Sequence, residues 1–99
     1  SVSAILQASS KSIKVTWSVS TPKSLLYRCV ANFGCDGAAA YSLVFPSPFK
    51  TYQADGTFFV TDAAIQSGSS YRYKVYGCDS DGNICSATGT ESSTVTANY

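Results

Sequence analysis

The chain has 99 residues, a formal net charge of +1 and only 13% charged side chains. That length supplies one hydrophobic core and no room for a second, and the near-neutral charge leaves no electrostatic footprint for nucleic acid or an anionic membrane. No apolar run approaches the roughly 20 residues that span a bilayer, and the N-terminal residues lack a basic, apolar, small-residue signal pattern, so an exported chain would carry its targeting segment outside these residues.

In chain order, a first strand is expected over residues 3–8. Ile13, Val15 and Trp17 alternate with Lys14 and Thr16, which reads as a half-buried strand with Trp17 as its largest inward group. Pro22 breaks the pattern. Residues 24–30 form the next strand, with Leu26 on one face and Leu25 and Tyr27 on the other. Residues 31–39 are small and turn-rich, as expected of a loop. Residues 41–45 make a short strand stopped by Pro46 and Pro48, which suit only an edge or a loop. After the Ala54-Asp55-Gly56 turn a strand over 57–61 carries Phe58, Phe59 and Val60. A strand over 71–78 is joined by Asp79-Ser80-Asp81-Gly82-Asn83 to a last stretch ending near Ala97. No segment of ten or more residues sustains a helical period. About seven short strands separated by turn signals predict an all-β, two-sheet Greek-key sandwich in a single domain.

The most specific local signal is Ile65-Gln66-Ser67-Gly68-Ser69-Ser70-Tyr71-Arg72-Tyr73-Lys74-Val75. An apolar residue, a turn glycine and a tyrosine stand at the spacing of a corner entering a sandwich strand. Tyr71, Tyr73 and Val75 then alternate with Arg72 and Lys74, giving one apolar and one charged face. Four cysteines with no histidine point to disulfides rather than metal or nucleophilic chemistry. The spacings, six residues from Cys29 to Cys35 and seven from Cys78 to Cys85, are not the tight pairs of a zinc site. Disulfides imply an oxidising compartment: periplasm, cell surface or medium. Four cysteines allow three connectivities.

Ile13-x-Val15-x-Trp17, Leu26-Tyr27-Arg28, Thr61-Asp62, Ile65-x-x-Gly68-x-x-Tyr71-x-Tyr73-x-Val75 and Asp81-Gly82-Asn83, in that order, resemble fibronectin type III domains of the kind found in secreted bacterial multidomain proteins. The resemblance spans nearly the whole chain. It departs from the family at residues 31–40 and 46–53, where the loops are longer. It implies an immunoglobulin-like sandwich in which Trp17, Asp62, Gly68 and Tyr71 are structural and Asp62 makes a hydrogen bond beside the corner. In that fold Cys29 and Cys78 fall near opposite poles, which implies the pairs Cys29–Cys35 and Cys78–Cys85. It also implies a non-catalytic spacer or protein-interaction module in a larger exported protein, partnered by neighbouring domains, with no cofactor, nucleic acid or membrane insertion.

Three residue groups invite other chemistry. The 79–83 loop offers oxygen ligands at alternate positions, as calcium needs, but lacks the twelve-residue frame and distal glutamate; Asp, Gly and Asn are also what a tight turn requires. Arg28, Arg72 and Lys74, with Tyr27 and Tyr76, are candidates for one outer sheet face, although Arg28 has the parity of the inward Leu26. A solvated face with cross-strand packing is the preferred reading there. Phe45, Phe49 and Tyr52 crowd a proline-interrupted stretch, where they cap the core or project as a platform for a polysaccharide, with Tyr27 as a further contact. For catalysis the inventory is thin: without histidine, base work would fall to Asp36, Asp55, Asp62, Asp79, Asp81 or Glu91, all in or beside turn-like sequence with no paired spacing.

Overall fold

The computed structural model describes residues 2–18, 23–35, 41–44, 57–79, 84–86 and 89–99. These residues form two antiparallel sheets packed as a β-sandwich. One sheet takes β1 (Val2–Gln7), β2 (Ser12–Ser18) and β5 (Thr57–Asp62) in the order β1-β2-β5. The other takes β3 (Lys23–Val30), β4 (Ser42–Leu43), β6 (Ser70–Cys78), β7 (Thr90–Glu91) and β8 (Val95–Thr96), in the order β4-β3-β6-β7 with β8 also paired to β6. The chain therefore changes sheet between β2 and β3, between β4 and β5, and between β5 and β6.

The period-2 pattern of β2 and β6 builds the core directly. Ile13, Val15 and Trp17 from one sheet meet Leu26, Tyr71, Tyr73 and Val75 from the other, with Ile65 and Ala97 closing one end. Burying an indole leaves its N–H in need of an acceptor. Trp17 Nε1 donates to the buried Ser24 Oγ at 2.8 Å, which also fixes how the two sheets align along their length.

The last stretch is not one continuous strand. β7 pairs Glu91 with Lys74, and β8 pairs Val95 with Tyr71. Three residues, 92–94, therefore face two on β6, the count of a β-bulge. Ser92 is buried there and supports the break: its N–H donates to Tyr73 O at 2.8 Å, and its Oγ accepts the Tyr73 N–H at 3.0 Å.

Two poles follow from the register. Val2 pairs with Trp17, and Lys23 with Cys78, at one end. Val30 pairs with Tyr71 at the other, where Tyr99 Oη donates to Ile65 O at 3.1 Å and Ser67 Oγ donates to Tyr99 O at 2.6 Å. Each pole carries one disulfide. Cys29–Cys35 closes a short 3-10 turn (Ala31–Phe33), and Cys78–Cys85 joins directly opposed residues. The latter pair is flanked by bonds from Asp79 N–H to Ile84 O and from Ser86 N–H to Gly77 O. It is thus a non-hydrogen-bonded pair, the position at which antiparallel backbones approach most closely. Two disulfides in a domain this small place its folding outside the reducing cytosol. No helix among the described residues is long and apolar enough to cross a membrane.

Candidate functional site

Tyrosine, basic and acidic side chains fall on both faces of the β3–β6 pair. Alternation decides which face each occupies. Facing inward, Arg28 Nη1 lies 2.8 Å from Asp62 Oδ2 and also donates to Ala64 O at 2.9 Å. Tyr73 Oη donates to the same Asp62 oxygen at 2.7 Å, and Ala64 N–H donates to Asp62 Oδ1 at 3.1 Å. Asp62 is only 3% exposed and every ligand it holds is a donor. Burial opposes the charge on Arg28, but the Asp62 hydrogen bond and charge outweigh it and hold the guanidinium pKa above its ordinary value. The Tyr73 phenol is pushed far up, by burial first and by Asp62 second. The Arg28 guanidinium also sits 5.3 Å from the Tyr71 ring centroid.

Tyr71 makes the corner. Its ring is buried, and its Oη accepts the Gln66 N–H at 2.8 Å. The turn between them closes with Ser69 N–H on Gln66 O at 3.2 Å and needs a positive φ at its third residue, where Gly68 has φ of 90°. Trp17, Asp62, Gly68 and Tyr71 are thus all packed or bonded within the frame. Arg28 faces inward and does not join the outer basic and aromatic residues. Phe45, Phe49 and Tyr52 lie outside the described residues, as do residues 80–83 of the turn that offers oxygen ligands; Asp79 Oδ1 accepts the Ile84 N–H at 3.3 Å. Among the described residues no cluster of three or more metal-ligating side chains occurs.

The outward face has a different character. Register sets Tyr27 against Lys74, Leu25 against Tyr76, and Lys74 against Glu91. Tyr27 and Tyr76 meet edge to face, with centroids 5.5 Å apart and planes at 76°. Tyr41, just before β4, donates its phenol proton to Glu91 Oε2 at 2.6 Å. The Lys74 ammonium lies 5.2 Å from the Tyr41 ring centroid and 5.6 Å from that of Tyr76. Burial, followed by the Glu91 hydrogen bond, pushes the Tyr41 phenol up to about 12, while the same bond holds Glu91 below the usual carboxylate range. Arg72 completes the row, 3.6 Å from Glu91 and donating to Thr94 Oγ1 at 3.1 Å.

Leu25, Tyr27, Tyr41, Tyr76, Cys85 and Ser86 line a cleft of about 350 Å³ on this face. Tyr27 and Tyr76 are legible as outward residues from strand parity. Tyr41 and Gly89 are not. Tyr41 reaches the cleft only because β4 lies beside β3, and a Cβ on Gly89 would come within 2.8 Å of Lys74 Cγ and 3.0 Å of Tyr76 Cζ. A lone glycine between threonines signals only a turn; its close packing under Lys74 and Tyr76 is a tertiary fact. A second groove, lined by Arg28, Val30, Asn32, Ala64, Gln66, Ser69 and Tyr71 among the described residues, lies at the Tyr71 pole, but Arg28 is already neutralised by Asp62.

Compared with models of known protein families and with characterised proteins, the chain matches none.

Proposed function

We propose that this domain is a non-catalytic, fibronectin type III-like module that acts as a spacer or protein-interaction unit in a larger secreted or surface protein. The observation that carries this reading is the placement of the chain ends. Val2 lies at the pole of Cys78–Cys85 and Tyr99 at the pole of Cys29–Cys35. Nine-residue β6 runs between the poles, about 30 Å at ~3.3 Å per residue. A chain entering and leaving such a sandwich passes along its length, so neighbours are held apart rather than side by side. A disulfide at each pole resists fraying where such a module would be pulled, and disulfides of this kind suit an extracellular setting. The polar inner cluster favours a structural over a catalytic role, because Asp62 is buried and fully bonded.

Fusing two copies head to tail and measuring the particle by small-angle scattering tests this. The spacer reading expects the longest dimension to grow by about 30 Å with the cross-section unchanged. A thicker particle of unchanged length would mean that the copies fold back on one another, and would refute it.

A further inference from the structure

We propose that the outer cleft of the second sheet binds a single neutral pyranose unit of a glycan, held by Tyr27 and Tyr76. This goes beyond the spacer role and moves the sugar-binding expectation away from residues 45–52. At about 350 Å³ the cleft is near the lower bound of small-molecule sites, which suits one ring rather than a length of chain. Tyr27 and Tyr76 stand nearly perpendicular, at 76°. Such a corner offers an aromatic face to the C–H side of a sugar ring and a second ring edge beside its rim.

Among the described residues the lining, Leu25, Tyr27, Tyr41, Tyr76, Cys85 and Ser86, contains no formal charge. On the same sheet face the Lys74 ammonium lies against the Tyr41 and Tyr76 rings, and the Glu91 carboxylate is bonded to Tyr41 and paired with Arg72. An ionic ligand would lose its hydration and meet no counter-charge among the described lining residues. A neutral ligand loses far less.

Neither the Tyr27 nor the Tyr76 hydroxyl has a hydrogen-bond partner among the described residues. Each can donate and accept, which matches the hydroxyls around a pyranose. The site is also rigid: both tyrosines stand on the paired β3–β6 strands, Cys85 is tied to Cys78, and Gly89 lets Tyr76 and Lys74 lie close to β7. Little conformational freedom remains to be lost on binding.

Tyrosine-ring NMR signals, followed during titration with the methyl glycosides of glucose, galactose, mannose and N-acetylglucosamine, test the proposal. Methyl glucuronate and a proline-rich decapeptide are run in parallel. At least one neutral glycoside should give saturable shifts at Tyr27 and Tyr76 with millimolar affinity, and the glucuronate should bind no more tightly than its neutral counterpart. Tyr27→Ala should weaken binding about tenfold, and Tyr27→Phe, which keeps the ring, about threefold. Unchanged Trp17 fluorescence shows that each variant is folded. Three results would overturn the proposal: no saturable shift with any neutral glycoside up to ~50 mM, binding that survives Tyr27→Ala unweakened, or saturable binding of the peptide alone.

Discussion

Strands β3 and β6 carry tyrosine, basic and acidic partners on both of their faces. On the inner face Arg28, Asp62, Tyr73 and Tyr71 form a closed set in which Asp62 is 3% exposed. On the outer face Lys74, Arg72, Glu91, Tyr41 and Tyr76 form an open one, with the Arg72 and Glu91 side chains 38% and 44% exposed. The residue types are nearly the same, but parity along β3 and β6 directs Arg28 and Tyr73 to Asp62 of the other sheet and directs Lys74 and Arg72 to Tyr41 and Glu91 on the outer face. Burial makes the inner carboxylate indispensable, since losing a partner strands a desolvated charge. Water makes the outer ion pair worth little, because solvent takes over each charge when the pair breaks. One face therefore holds the fold, while the other is free to change its side chains or to meet a ligand.

The largest expected effect lies on the inner face. Asp62→Ala removes the acceptor of the Tyr73 hydroxyl and the Ala64 N–H and the counter-charge of Arg28, which keeps its bond to Ala64 O, and should cost about 3–5 kcal/mol in urea unfolding. A loss below ~1 kcal/mol would place Asp62 with the exposed pairs and erase the contrast between the faces.

Alkaline pH should act next. Tyr41 and Tyr73 both have folded-state pKa values above the usual 10, so the folded protein keeps protons that the unfolded chain releases. Their contribution is fully present below pH 10 and is lost as pH rises, up to about 12 for Tyr41 and beyond that for Tyr73. Each should cost about 1 kcal/mol per pH unit above 10. Urea midpoints compared at pH 9 and pH 11, with tyrosinate absorbance read on the folded protein, check this. A midpoint that does not fall, or a full complement of tyrosinate at pH 11 in the folded state, contradicts it.

Tyr71→Phe should have the smallest of these effects, about 1–2 kcal/mol, because it removes one acceptor from the Gln66 N–H and leaves the buried ring in place. If urea unfolding is unchanged, the corner is held by Gly68 and packing alone.

Much of this contrast was legible before the structure. The alternations of Ile13, Val15 and Trp17, and of Tyr71, Tyr73 and Val75, specify which side of each strand is buried, because a one-residue slip would turn the whole apolar set to solvent. The same parity placed Tyr27 outward. Arg28 was ambiguous because its parity pointed inward while its charge pointed outward, and its partner Asp62 stands 34 residues away in the other sheet. No local pattern reports such a pair. The bulge at 92–94 was also hidden, since Ser92, Ser93 and Thr94 are uniformly polar and carry no period to interrupt. The cleft depends on Tyr41 and Gly89, whose roles follow from strand neighbours rather than from sequence neighbours.

Two double-mutant cycles, Arg28 with Asp62 and Arg72 with Glu91, measured by urea unfolding under one set of conditions, test the division between the faces most directly. The account predicts a coupling above ~1.5 kcal/mol for the buried pair and below ~0.5 kcal/mol for the exposed one. Equal couplings, or a larger one for Arg72 and Glu91, would contradict it.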